Sequence, residues 1–137
     1  MSLVYFFAIL VYMENAAKTI LLVEDDETLR DMYTLKIEAE GYKLLTAADG
    51  EVGLALALAN HPDVILLDIM MPKMDGFAVL TELKKDEAFK QTPILMLSNL
   101  GQQADVDKGK QLGANDYVVK ASMTPTQVVA KIKSYLK

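Results

Sequence analysis

Four short apolar runs in this chain each end on a charged or hydroxyl-bearing side chain. The runs cover residues 20–23, 64–67, 94–97 and 117–119, and they lead in turn into Glu24 and Asp25, Asp68, Ser98 and Lys120. Runs this short and apolar, separated by helix-like stretches, are typical of buried strands in a parallel sheet. Because such sheets bind ligands at the carboxyl ends of their strands, we expect these polar groups to form one site.

Capping signals mark helices between these strands. Gly41 ends a helical stretch at 26–40, and Thr124, Pro125 and Gln127 form a capping box for the last helix. Residues 42–46 supply one more strand. Five strand–helix units predict an α/β domain, a three-layer sandwich with a five-stranded parallel sheet and five helices on its two faces.

The bulk composition restricts the classes of partner. The chain has 137 residues, enough for one domain with a sizeable core, and its net charge of -5 argues against direct nucleic-acid binding. It contains no cysteine, which excludes disulfides and thiolate metal sites. No linker or second domain pattern follows the strand–helix units, so we expect a chain without an output domain of its own.

Residues 1–15 form an apolar extension before the domain predicted for residues 16–137. The apolar run at 3–13 is shorter than the roughly 20 residues that a membrane span needs. The first basic residue is Lys18, so the basic leading region of a signal peptide is missing, and we expect a cytoplasmic protein with no membrane contact. The simplest interpretation is natural translation from Met13, whereas an ordered extension favours an added strand or a patch buried against a neighbour.

Carboxylates brought together at one edge of a sheet repel each other, so a cation is expected among them. Oxygen ligands favour a hard cation, and a partly hydrated magnesium ion suits a site with few protein donors. Lys120 adds a second positive charge, and Ser98 adds a hydroxyl donor. Such groups can neutralise a transferring phosphoryl group, and Asp68, which lies between them in the predicted sheet, is the candidate nucleophile.

Four motifs in order carry a resemblance to a known family. They are Leu-Val-Glu-Asp-Asp-Glu at 22–27, the run 62–72 with Asp75 and Gly76 after it, Pro-Ile-Leu-Met-Leu-Ser at 93–98, and Gly-Ala-Asn-Asp-Tyr-Val-Val-Lys at 113–120. From about Lys18 to Lys137 the chain resembles the receiver domain of two-component response regulators. The resemblance implies a flavodoxin-like fold with strand order 2-1-3-4-5.

The resemblance also implies the role of each site residue. Asp68 matches the phosphoacceptor, which takes a phosphoryl group from a histidine kinase, and Lys120 matches the residue that pairs with the phosphoryl oxygens. Asp25 matches a direct magnesium ligand, and Glu24 matches an acidic residue that acts through water. The main-chain carbonyl of Met70 matches the third protein ligand.

Ser98 and Tyr117 match the family's switch hydroxyl and the aromatic residue that turns inward with it.

The chain departs from the family pattern at two positions. Ala121 follows Lys120 where the family usually has a proline with a cis bond. Since a cis non-proline bond costs about 2.5–4 kcal/mol, we expect a trans bond and a differently shaped loop. Asn99 replaces a very small residue and is expected to crowd the entrance to the site.

These residues predict a signalling switch and not an enzyme. We expect a stand-alone receiver that accepts phosphate from a sensor histidine kinase or phosphotransfer protein and signals to a downstream protein. Autodephosphorylation should be slow, since the residues that flank the approach of water in this family are here the apolar Met70 and Leu100.

Two other classes of protein stay open. A degenerate receiver that only binds other proteins is the main alternative, and the intact Asp68 and Lys120 count against it. A phosphatase with an aspartyl nucleophile would normally have a general acid two residues after Asp68, where Met70 stands.

Overall fold

The structure is a computed structural model that describes residues 2–99 and 102–136. Its strands are β1 (Thr19–Val23), β2 (Lys43–Ala47), β3 (Val64–Asp68), β4 (Ile94–Ser98) and β5 (Asp116–Val119). Its helices are α1 (Leu3–Ala16), α2 (Glu27–Ala39), α3 (Gly50–Asn60), α4 (Gly76–Lys84), α5 (Gln103–Leu112) and α6 (Pro125–Tyr135), with one 3-10 turn at Glu87–Phe89. The strands form a parallel sheet in the order β2-β1-β3-β4-β5, which confirms the predicted fold and strand order.

Both faces of the sheet are covered, so every residue of β3 and β4 is buried. Alternate side chains of the strands point to opposite faces and join two apolar clusters. One cluster contains Leu67 and Met96 and packs under α3, α4 and α5. The other contains Leu66 and Leu97 and packs under α2 and α6. These two clusters hold the central strands in one register.

Side-chain caps set where the helices begin. The side chains of Asp26, Asp49 and Asp75 accept hydrogen bonds from the third residue beyond each of them, at 2.8–3.0 Å. Thr124 and Gln127 form the predicted capping box of α6. Three of these four helices therefore begin with an aspartate directly after a strand or its following loop, close to the carboxyl edge of the sheet.

The added strand expected within residues 1–15 is wrong, because this segment forms helix α1, which comes in addition to the five predicted helices. The helix begins after Ser2, whose side chain accepts a hydrogen bond from the Tyr5 backbone N–H. A helix satisfies its backbone hydrogen bonds within the segment, whereas a strand needs a neighbouring edge. Within the described residues, no helix combines the length and hydropathy needed to cross a bilayer.

Two helix glycines should respond to alanine in opposite directions. A Cβ at Gly109 in α5 would meet nothing closer than Met96 Cγ at 3.6 Å, whereas one at Gly53 in α3 would lie 2.8 Å from both methyl carbons of Val23. Gly109→Ala should therefore raise the free energy of unfolding by about 0.5–1 kcal/mol. Gly53→Ala should lower it by about 1–3 kcal/mol because the core there is already full. Urea denaturation followed by circular dichroism measures both values, and shifts of the same sign would contradict this packing.

Candidate functional site

Three carboxylates meet at the carboxyl edge of the sheet. Val23 of β1 pairs with Leu67 of β3, so the residues that follow them, Glu24 and Asp68, reach the same edge. One oxygen each from Glu24, Asp25 and Asp68 lies within 4.8 Å of the other two. Glu24 and Asp68 are buried, while Asp25 is exposed. The structure thus brings together the three acidic residues that the sequence predicts.

Lys120 reaches this cluster from β5. Ser98 pairs with Val119 in the sheet, and the Lys120 backbone N–H donates to the Ser98 carbonyl at 2.7 Å. Its ammonium lies 3.2 Å from Asp68 Oδ1 and also pairs with Glu24 Oε1. The Lys120–Ala121 bond is trans, as expected, and the loop still directs the lysine into the site. Two buried carboxylates therefore share one buried ammonium.

The cluster shifts the pKa of two of its carboxylates in opposite directions. Burial, together with hydrogen bonds to Glu24 and Asp25, raises the pKa of Asp68 to about 8, and the charge of Lys120 only partly opposes this rise. Burial also acts to raise the pKa of Asp25, but hydrogen bonds with Asp68 and Glu24 outweigh it and lower that pKa. Hydrogen bonds between carboxyl groups require a proton, because an ionised carboxylate can only accept, and the raised pKa favours the protonated form of Asp68.

The ammonium of Lys120 remains charged in these surroundings. Burial alone would lower its pKa, but the hydrogen bond and charge of Glu24 and the charge of Asp68 outweigh burial and raise it. Lys120 is thus a fixed positive charge, and Asp68 is the group whose ionisation depends on what binds beside it.

The donor set fits a hard divalent cation. All three clustered side chains offer carboxylate oxygens, and the exposed Asp25 leaves room for water ligands. The Met70 side chain is 76% exposed and lines open cavities on both sides of this edge. Two roles stay predictions: the Met70 carbonyl as the third metal ligand, and Glu24 as a residue that binds the metal through water.

A cavity of about 200 Å³ opens beside Asp68. It is lined by Asp68, Ile69, Met70, Ser98, Asn99, Gln102 and Asp105. Asn99 therefore borders the entrance, as expected, while Leu100 lies outside the described residues. The hydroxyl-bearing Ser98 and the candidate nucleophile, Asp68, therefore line the same cavity.

Tyr117 of β5 pairs with Met96 of β4, two residues before Ser98, so the side chains of Tyr117 and Ser98 lie on the same face of the sheet. The tyrosine hydroxyl is buried, and burial raises the pKa of Tyr117, while the adjacent Ser98 side chain lowers it and the negative charge of Asp105 raises it further. The tyrosine is therefore already turned towards Ser98 in this structure. A chain of contacts thus links the cavity to helix α5.

The sequence interpretation missed three residues that shape this edge, and it named a fourth, Gly76, only as part of a motif. Arg30 Nη1 donates to the Glu24 carbonyl at 2.8 Å, and a Cβ at Gly76 would lie only 2.2 Å from the Asp68 carbonyl oxygen. Gln102 and Asp105 line the cavity. The signal for the last two was their place at the start of the helix that follows Ser98, which brings them to the same edge.

Comparison with known proteins agrees with this geometry. Residues 20–133 match the response regulator receiver domain family. The chain is 42% identical over 125 residues to the probable transcriptional regulator ycf27 of Cyanophora paradoxa, covering 91% of this chain and 51% of that protein. The chemotaxis response regulator CheY4 of Vibrio cholerae has a TM-score of 0.80 and 32% identity, covering 86% of this chain and 98% of that chain. A chain of the CheX-CheY-BeF3-Mg²⁺ complex of Borrelia burgdorferi has a TM-score of 0.79 and 28% identity, covering 88% and 90%.

The chain spans about half the length of the curated relatives it matches. Phosphorylation and magnesium binding at an acidic pocket are general properties of the matched family, whose members are signalling switches. An acidic cluster at the carboxyl edge of a sheet ordered 2-1-3-4-5, together with a family match over most of the chain, leads to one assignment: this chain belongs to the response regulator receiver domains of two-component signal transduction.

Proposed function

We propose that Asp68 accepts a phosphoryl group from a histidine kinase or phosphotransfer protein and that the chain acts as a magnesium-dependent switch. The observation that carries this proposal is the position of the Asp68 carboxylate. It is almost completely buried, 3.2 Å from the Lys120 ammonium, close to two other carboxylates and open to a cavity on one side. A purely structural carboxylate would not need an open side.

The transfer is a displacement at phosphorus. An oxygen of ionised Asp68 forms the P–O bond while the P–N bond of the donor's phosphohistidine breaks, and the leaving imidazole nitrogen keeps the electron pair and takes up a proton. Lys120 is held by Glu24 where it can bind a phosphoryl oxygen, and Ser98 can donate its hydroxyl to another. Asp25, Asp68 and the Met70 carbonyl would hold magnesium, with Glu24 acting through water, and the ion would supply further positive charge for the phosphoryl oxygens.

The switch transmits phosphorylation through Ser98 and Tyr117. The buried tyrosine hydroxyl lies near the Ser98 side chain, so movement of Ser98 towards a phosphoryl oxygen on Asp68 would change the surroundings of that hydroxyl. The change would alter the packing of Tyr117 against α5, and β5 is joined to α6 by the ion pair of Asp116 with Lys131. These three elements are therefore the surface that we propose signals to a downstream protein.

The output has two possible forms. The curated relative ycf27 carries the name of a transcriptional regulator and is about twice as long as its matched part, which favours a receiver that controls a DNA-binding output. A stand-alone receiver that docks on a separate protein is the other form. In both, the net charge of -5 makes direct nucleic-acid binding by this chain unfavourable, and the exposed apolar Met70 beside the cavity supports slow autodephosphorylation.

Phosphorylation should depend on Asp68 alone. Incubation with acetyl phosphate and magnesium should add one phosphoryl group to the parent and to the control Asp31→Asn, which changes an exposed aspartate of α2. Asp68→Asn should take up none, because an amide cannot act as the nucleophile. Intact-protein mass spectrometry measures the added mass. A fully labelled Asp68→Asn variant would place the phosphoacceptor elsewhere and would favour a degenerate site at Asp68.

Magnesium binding should require Asp25 and should strengthen as the pH rises. Because the pKa of Asp68 is raised to about 8, a proton competes with the metal ion below that pH, so magnesium should raise the melting temperature more at pH 8 than at pH 6. Asp25→Asn should remove most of this rise, whereas Asp26→Asn should keep it, because Asp26 caps α2 and asparagine caps equally well. Thermal denaturation with and without magnesium checks both variants, and equal responses would place the metal ion outside this cluster.

Ser98→Ala should separate phosphorylation from signalling. The variant should still bind beryllofluoride, a mimic of the phosphoryl group, because Asp68 and Lys120 are intact. Its amide NMR shifts in α5, β5 and α6 should change much less than those of the parent, while the control Ser134→Ala, at an exposed serine, should respond fully. Full shifts in Ser98→Ala would exclude the serine as the link.

A further inference from the structure

Helix α1 exposes an apolar surface that is too large for an isolated domain. Ten of its apolar side chains, from Leu3 to Met13, are each 40–76% exposed, and none of its residues is buried. Together they expose on the order of 1,000 Å² of apolar surface, more than the few hundred Å² of the largest patch on a typical monomer. Because these residues are nearly consecutive, every side of the helix is apolar, which is typical of a helix that is covered all round.

The rest of the chain covers α1 on one side only. The Tyr12 ring lies so close to Gly41 that a Cβ there would be 2.8 Å from Cδ2. Asn15 Nδ2 donates to the Glu40 carbonyl at 2.7 Å. Phe7 and Val11 line an open cavity together with Ala39 and Glu40 at the end of α2. These contacts place α1 beside the end of α2, and most of its surface is open to solvent.

The apolar surface continues along α2. Ala39 lines the cavity under α1, and Leu35, one turn earlier on the same face, is 73% exposed. Met32, a further turn back, is 38% exposed. An exposed leucine in the middle of a helix is ordinary by itself, but here it extends the apolar surface of α1 in one direction.

We propose that α1 and the exposed face of α2 form the interface of a homodimer. The α1 helices of two copies pack antiparallel, and each also lies against Leu35 of the other copy. Such a pair is symmetric and closed, since the same surface serves both copies. Burying most of the exposed part of α1 provides about the 800 Å² per partner that a stable interface needs.

The charge pattern favours a second copy over a different protein. The one charged residue of α1 is Glu14, and the first basic residue of the chain is Lys18. A surface with almost no charge cannot select a partner by electrostatic complementarity. A second copy always offers the same apolar helix, so it is the occupant that this surface fits.

A lipid bilayer fits the same helix less well. The 14 residues of α1 span about 21 Å, against the roughly 30 Å of a hydrocarbon core. A helix lying in the membrane surface needs a polar face, and basic residues strengthen its attraction to anionic lipids. α1 has neither of these features.

The proposed interface is remote from the phosphorylation site. α1 leads into Thr19 at the start of β1, whereas Asp68 stands at the opposite edge of the sheet, at the end of β3. The family match begins at residue 20, so α1 is an addition to the shared domain. The dimer should therefore form without phosphorylation and leave the Asp68 cavity accessible.

Light scattering coupled to size-exclusion chromatography tests the proposal on the full chain. The parent and the Asp68→Asn variant should have the mass of two chains. Tyr5→Lys combined with Ile9→Lys, two residues on one side of α1, should give the mass of one chain with unchanged circular dichroism. Leu35→Lys should weaken dimerisation at least tenfold. Leu58→Lys changes an exposed apolar residue on α3, outside the proposed interface, and should leave the dimer intact.

Several results would overturn the proposal. The proposal is wrong if the parent has the mass of one chain at about tens of micromolar protein. It is also wrong if the Tyr5→Lys, Ile9→Lys variant has the mass of two chains. Dimers that depend on phosphorylation would place the interface elsewhere. A second experiment measures co-sedimentation of the protein with phosphatidylcholine–phosphatidylglycerol vesicles. A parent that is monomeric in solution but binds these vesicles would show that α1 contacts membranes.

Discussion

The site depends on one buried ammonium that two buried carboxylates share. Removing a charged group from water costs several kcal/mol even after relaxation, and Lys120 can neutralise only one of Glu24 and Asp68. Asp25 at the rim adds a further negative charge. Burial and the neighbouring carboxylates favour the protonated form of Asp68, whose pKa is raised to about 8. A site with this excess of negative charge is prepared for a cation and, through the cation, for a phosphoryl group.

The rest of the fold holds these charges in place. The register of β1 on β3 and of β4 on β5 determines which residues emerge together at the carboxyl edge. Two apolar clusters, one on each face of the sheet, stabilise that register against the repulsion of the carboxylates. At Gly76, the absence of a side chain lets α4 begin directly against the end of β3. Packing energy thus maintains an arrangement that the charges alone would not favour.

The two ends of the sheet serve different purposes. At the carboxyl edge, Ser98 and Tyr117 lie between the Asp68 cavity and α5, on the path that we propose carries phosphorylation to a surface. At the amino edge, α1 offers an almost uncharged surface that is remote from this path. This separation would let the proposed association of two copies and the proposed phosphorylation be controlled independently.

Much of the fold and of the site could be predicted from the sequence, because local signals were strong there. Apolar runs that end on polar residues indicated the parallel strands, and the capping box of Thr124 and Gln127 indicated where the last helix begins. Parallel strands end at a common edge, so the grouping of Asp25 with Asp68 followed from topology alone.

Tertiary structure decided what local signals could not express. The apolar extension could not be assigned from its residues, because β-branched and aromatic side chains are compatible with both strand and helix, and only the structure shows it to be helix α1. The inward position of Tyr117 and the proton on Asp68 depend on distances between separate strands. Sequence spacing determines which residues can reach an edge, whereas packing determines how close they come and therefore which of them carries the charge.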